Sequence, residues 1–489
     1  MKKSSAGYNL YLLLIVAGNL LLHSTFSCAI VLAPTYNATK QPWQIVSLAT
    51  AIDTVSSKPE SSFTKAINKE VWVTIFVHGI MSIKPHVSAS NFLRFMTDDV
   101  RNTVYSKTVE KMRDDPVFYQ NQAMQGLGLL PADPTQPSAD NAANTMAMVF
   151  ETMSRFTNPN KNIHNHYYTY GWTGLLSEQQ RTQDGTTLYT ALVALVENYK
   201  ANGIEPHIRL IGYSHGGNIC LKVAHAALET GHDNHPTIDE LVLLGMPVQS
   251  ETDYLINHAM FKKVYHIYSR GDRIQKLDFF SLDRFFSRRI FKERKDFQLP
   301  DKLIQIQLKC TRNTAKGKTM QRAYDFTSPA VIGGKSRYLR DASPGHTELW
   351  FFGWTPANYR GHFPLYPLPS SALVPMIVQA TNYFDEADLF QKPTLIDIRP
   401  EHEIIVIKNQ KSQRVLTITK FLSKEEFNAL KTEILKYAPA EYTPELYNGR
   451  IQVAFQQAKV EKKVERLAKL RRKRSSDIDD VQALQLAVD

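Results

Sequence analysis

Three features are scarce in this chain of 489 residues. Cysteine occurs only as Cys28, Cys220 and Cys310, too few for the disulfide framework that holds small secreted folds together. With 43% hydrophobic and 21% charged residues, the chain is expected to rest on a packed core instead. Metal-ligating clusters are scarce too. His164 and His166 alternate along one stretch, but no carboxylate cluster accompanies them, so no metal and no cofactor is expected. The third scarcity is of long apolar runs: residues 10–22 form one, and it is short for a membrane span. Positive charge is plentiful but local. Formal net charge is +11, and residues 459–474 hold nine Lys/Arg against two Glu, +7 of that excess. No nucleic-acid-binding motif accompanies this basic segment, so nucleic acid is not an expected partner.

The short apolar run has a different reading. Lys2 and Lys3 precede it and small residues follow, with Thr25 and Ser27 at −3 and −1 of a cut before Cys28. This is the plan of an export signal over residues 1–28. Cys28 then stands where a bacterial lipoprotein carries its lipidated cysteine, although such signals usually have Leu in the place of Thr25. The expected location is outside the cytoplasm: periplasmic, secreted, or held at a membrane by an uncleaved or lipidated N-terminus.

Residues 29–68 are polar, with Pro, Ser and Thr in places, and read as an N-terminal extension. From residue 69 to about 390, apolar runs of strand length alternate with helical patterns. Strands are expected at 71–77, 164–171, 208–211, 238–244, 264–268 and 303–308, the last with an alternation that suggests a sheet edge. Helices are expected at 91–112, 141–156, 186–201, 218–228, 252–261 and 370–383, and no further strand over 114–163. This order argues for an α/β fold with a doubly wound, mostly parallel sheet and helical insertions. The Met- and Phe-bearing helix at 141–156 reads as core packing, with a lid over an apolar site as its alternative. Residues 279–299 form a basic, aromatic insertion. Beyond residue 391 a small α+β appendage runs to 450, with a hairpin at 403–408 and 414–420 and a helix opened by the capping box Ser423/Glu426. Residues 451–489 form a basic helical tail with Val460, Val464 and Leu467 on one face, a solvated or partner-binding helix that could also touch an anionic membrane surface.

The chemistry centres on Gly212-Tyr213-Ser214-His215-Gly216, between the apolar run at 208–211 and a helical pattern. A serine on a sharp strand-to-helix turn sits in strained backbone, and its neighbours two residues away must be too small to clash. A second informative stretch, His78-Gly79-Ile80-Met81, directly follows the strand at 71–77. Gly271-Asp272 follows the strand at 264–268, and Gly345-His346 comes after the last strand of the alternating region. Asp253 and Asp278 rival Asp272. His362 rivals His346, whose position better leaves room for the helix at 370–383. Cys220 reads as a buried packing thiol.

In these motifs and their order, residues 69–385 resemble the α/β-hydrolase superfamily, with most similarity to its lipases and esterases. The resemblance implies Ser214 as nucleophile, Asp272 as acid and His346 as base, the chain order that fold uses. It also implies an oxyanion hole from the backbone N–H of His215 and of Ile80 or Met81. A serine hydroxyl is a weak nucleophile at neutral pH, so it needs an imidazole to take its proton and a carboxylate to orient that imidazole. The implied activity is hydrolysis of carboxylic esters, of a lipid or other apolar acyl compound, through an acyl-Ser214 intermediate. The alternatives are an acyltransferase or thioesterase of the same fold, or a non-enzymatic member acting as a binding module.

Overall fold

Strands that are apolar on both sides need cover on both faces, and this requirement organises the molecule. The computed structural model describes residues 70–81, 100–158, 162–231, 235–272, 274–276, 287–311, 343–354, 363–382, 393–409, 415–419 and 423–486. The export signal with Cys28, the extension at 29–68, the start of the helix expected at 91–112, Asp278 and His362 lie outside the described residues. In chain order the elements are β1 (Glu70–Val77), α1 (Val104–Arg113), β2 (Gly128–Ala132), α2 (Ala142–Thr157), β3 (Ile163–Gly171), α3 (Glu178–Ala201), β4 (His207–Tyr213) and α4 (His215–Thr230). Then come β5 (Ile238–Leu244), β6 (Phe261–Tyr268), β7 (Leu303–Cys310), α5 (Val374–Thr381), β8 (Thr394–Arg399), β9 (Ile404–Asn409), β10 (Val415–Thr419), α6 (Lys424–Leu435) and α7 (Pro444–Leu486).

The ten strands among the described residues form one sheet, in the order β10-β9-β8-β7-β6-β5-β4-β1-β3-β2. The block from β8 to β3 is parallel, while β2, β9 and β10 pair antiparallel at the two edges. The fold is therefore α/β with a mostly parallel mixed sheet. Successive residues serve opposite faces. Leu241 and Leu243 pack with α3 and α4, while Val242 and Leu244 pack with α2, α5 and α6. The chain steps from β1 to β3 on one side and returns to β4 on the other, so the strand order reverses at the β1/β4 junction. In open α/β sheets, ligands gather outside the carboxyl ends of strands at such a junction. The register sets these ends level: Val77 lies opposite Gly212, Tyr213 opposite Leu244, and Leu244 opposite Ile267.

Several expectations need correction. Residues 114–163 do contain a strand, β2, which carries Pro131 on an edge where a missing donor is tolerated. β7 is not an edge strand: it pairs with β6 and with β8, and all its residues are buried. The hairpin β9–β10 and the preceding β8 extend this same sheet. The helix expected at 252–261 is a short 3-10 turn, Asp253–Asn257, and β6 begins at Phe261. α3 starts at Glu178 rather than at 186, and the Ser177 hydroxyl caps its polar first turn by accepting the Gln180 N–H.

α2 packs into the core. Met146, Val149, Phe150 and Met153 are fully buried, and the Phe150 ring meets Phe76 and Tyr167 edge-on. The lid reading is therefore set aside. Phe150→Ala should cost about 3–5 kcal/mol of unfolding free energy in a denaturant titration. An unchanged midpoint would return this helix to a lid role.

Candidate active site

β4 delivers Tyr213 and α4 starts at His215, so the chain turns within Ser214, at φ 52° and ψ −130°. Positive φ is uncommon and strained for a residue with a Cβ, at roughly 1–3 kcal/mol. Two backbone hydrogen bonds hold it there: Ser214 N–H to the Leu244 carbonyl (2.9 Å), and Gly217 N–H to the Ser214 carbonyl (3.0 Å). Both motif glycines are demanded by contact. A Cβ on Gly216 would lie 2.3 Å from the His78 carbonyl oxygen, and one on Gly212 would lie 2.6 Å from the Gly217 Cα.

Three of the residues expected from the sequence meet. His346 Nε2 lies 3.0 Å from Ser214 Oγ, and His346 Nδ1 lies 2.7 Å from Asp272 Oδ2. A carboxylate only accepts, so Nδ1 carries the proton and Nε2 is left to accept from the Ser214 hydroxyl. All three side chains are buried, and Asp272 completely so. Asp272 Oδ1 accepts the Gln275 N–H at 3.1 Å. Arg289, in the basic insertion, donates from Nη2 to the Asp272 carbonyl at 2.5 Å. Sequence reasoning assigned Arg289 nothing, and only the basic character of its segment pointed to it. The rival Asp253 is also fully buried, but its carboxylate faces Arg288 and Arg294.

The turn bearing His346 is tied down along its length. The Ser269 hydroxyl donates to the Pro344 carbonyl (2.6 Å), and the Gly345 N–H donates to the Glu348 carboxylate (2.7 Å). The Tyr213 hydroxyl donates to the His346 carbonyl (3.0 Å), and the Ser370 hydroxyl to the Glu348 carbonyl (3.0 Å). Tyr213, directly before Ser214, also sets its ring 4.9 Å from the His346 imidazole and stacks on Trp350. Burial and the nearby Asp272 push the Tyr213 phenol well above its ordinary range, so it acts as a neutral donor.

The loop after β1 abuts the turn: a Cβ on Gly79 would lie 3.0 Å from that of Ser214. His78 is not a proton carrier here. Its Nδ1 donates to the Gly79 carbonyl (2.6 Å) and its Nε2 accepts the Trp172 N–H (3.3 Å), which uses both nitrogens of a neutral ring. Burial, with a smaller effect of Arg113, lowers its pKa to about 3. The Gly79 carbonyl and the Ile80 N–H belong to one planar peptide unit, so anchoring the first orients the second. Ile80 N–H makes no hydrogen bond among the described residues. Met81 N–H, by contrast, is given to the Gly174 carbonyl at 3.3 Å. The His215 N–H lies in the first turn of α4, where no carbonyl of the same helix is in reach and the helix dipole is positive.

The remaining candidates fall away from the site. Cys220 and Cys310 form no disulfide, and burial pushes the Cys220 thiol well above its ordinary range. His164 and His166 meet each other at 4.6 Å, and no group able to hold a metal occurs among the described residues. The arrangement that remains can pass a proton from Ser214 to His346, hold the imidazolium against Asp272, and present backbone donors beside the serine.

Burial also makes acid sensitivity legible. His78 and His266 are both buried, and burial lowers the His266 pKa to about 4. The unfolded chain takes up protons on these rings below about 6.5, whereas the folded chain does not. Stability should therefore fall as pH drops from about 6.5 toward 4, read as the urea midpoint, and His266→Phe should flatten that slope. A slope unchanged in His266→Phe would remove this imidazole as its source.

No model of a known protein family matches this chain, and no curated protein sequence matches it.

Proposed function

We propose that this protein is a serine hydrolase of the α/β-hydrolase type, cleaving carboxylic esters through an acyl-Ser214 intermediate. The observation that carries the reading is the hydrogen-bonded chain Ser214–His346–Asp272 at a strained turn after a central strand. The strand order β3-β1-β4-β5-β6-β7, with Ser214 after β4 and His78-Gly79 after β1, supports the same reading.

In the proposed reaction His346 Nε2 takes the Ser214 proton as Oγ attacks the ester carbonyl, and Asp272 steadies the resulting imidazolium. The oxyanion that forms is met by the His215 and Ile80 N–H groups. His346 then returns its proton to the leaving alcohol, and water repeats the sequence to release the acid and restore Ser214. Substrates with apolar acyl groups, lipids among them, and export from the cytoplasm complete the proposal. Their support is the resemblance to lipases and esterases and the N-terminal leader, since α2 contributes no lid.

A fluorophosphonate probe tests the reaction class directly. Folded wild-type protein should label, and Ser214→Ala should not; unlabelled wild type would leave a non-enzymatic binding protein as the better reading. Asp272→Asn should lower kcat about 10⁴-fold by favouring the wrong tautomer. Ile80→Pro, which deletes the assigned donor, should lower kcat about 10²–10³-fold with a much smaller change in KM. Equal activity in that variant would place the second oxyanion donor elsewhere.

A further inference from the structure

α7 is the large element that the proposed reaction leaves unused. Its first turns are docked. Tyr447, Ile451 and Ala454 pack with Tyr105, Val109 and Met112 of α1, in a cluster that also holds Met81, Leu175 and Leu176. Ala458 is fully buried, and Glu461 bridges to Lys107 and Lys111 at 3.2 Å each. At 3.6 residues per turn these positions share one stripe of the helix. Met81 follows β1 and Leu175 and Leu176 follow β3, so α7 is rooted at the same strand ends as Ser214.

The far side of α7 is apolar and uncovered. Val460, Val464, Leu467 and Leu470 follow one another at helical spacing on one face, with Val453 two turns before them, and each of the five is 47% to 62% exposed. One exposed apolar residue needs no account, but the run from Val460 to Leu470 marks a contact surface. Lys459, Lys463, Arg466, Lys469 and Arg471 are exposed along the same stretch. The two glutamates do not offset that charge, because Glu461 faces the lysines of α1 and Glu465 pairs with Lys462. A second copy seated on this face would bring two blocks of cations together, which disfavours it. An anionic lipid surface complements both parts.

We propose that this face of α7 docks on an anionic phospholipid surface, with the valines and leucines at the headgroup boundary and the Lys/Arg side chains reaching the phosphates. This goes beyond the hydrolase reading and stands apart from it, because binding is measured without turnover. The test is flotation of the full-length protein with vesicles of phosphatidylcholine alone or of phosphatidylcholine with phosphatidylserine. Wild type should float only with the anionic vesicles, and less as salt is raised. Val460→Asp with Val464→Asp should abolish flotation, and Lys463→Glu with Arg466→Glu should weaken it about tenfold or more. All four positions are exposed, so both pairs should keep the wild-type melting curve by circular dichroism; should one pair unfold, the other carries the comparison. Equal binding to both vesicle types, no binding, or undiminished binding by a folded variant overturns the proposal. So does a concentration-dependent doubling of mass that Val460→Asp with Val464→Asp removes, which would assign the face to a second copy.

Discussion

The site depends on the lack of clearance between the end of β1 and the start of α4. A methyl group on Gly216 would sit 2.3 Å from the His78 carbonyl oxygen, a distance open only to hydrogen. Because β4, α4 and β1 close to that limit, the chain has a single residue in which to turn from strand to helix. That residue is Ser214, and its positive φ is the consequence. The buried elements on either side offset the strain, so the serine is held against Gly79 and at the mouth of a helix N-terminus. Position, strain and local field thus come from one steric fact.

Burial then sorts chemically similar groups by their partners. His78 and His346 are both buried histidines beside the same turn. His78 spends both nitrogens on backbone groups and becomes a fixed brace for the peptide that carries the Ile80 N–H. His346 spends neither on backbone: one nitrogen faces Asp272 and the other Ser214. A hydrogen bond from Tyr213 reaches its carbonyl instead, so the main chain of that turn is held while the ring keeps its two polar partners. Asp253 and Asp272 divide in the same manner. Both are completely buried, but two guanidiniums occupy Asp253, whereas Asp272 has a carboxylate oxygen directed at an imidazole.

What could be read from the chain followed the range of the interaction. Apolar runs such as those of β1 and β5 announced buried strands because both faces are covered. β7 misled because its glutamines alternate with apolar residues, as they would at an edge, although β8 arrives from far along the chain to cover that side. β2 was illegible because an edge strand with a proline and little periodicity carries almost no local signal. Nothing local separates Met81 from Ile80; the Gly174 carbonyl, from the loop after β3, takes the Met81 N–H. Arg289 had no local mark at all.

The sequence by itself determined the sharp turn at Ser214, the alternation of strands and helices, and the order in which serine, aspartate and histidine occur. These are local matters of glycine spacing, apolar period and strand length. Only the tertiary structure decided which aspartate meets the histidine, that the Met81 N–H is taken by the Gly174 carbonyl, and that α2 is core. Those choices rest on contacts between residues far apart in the chain, such as His346 with Ser214, 132 positions away. Such contacts exist only once the sheet has set the ends of β1, β4 and β6 side by side.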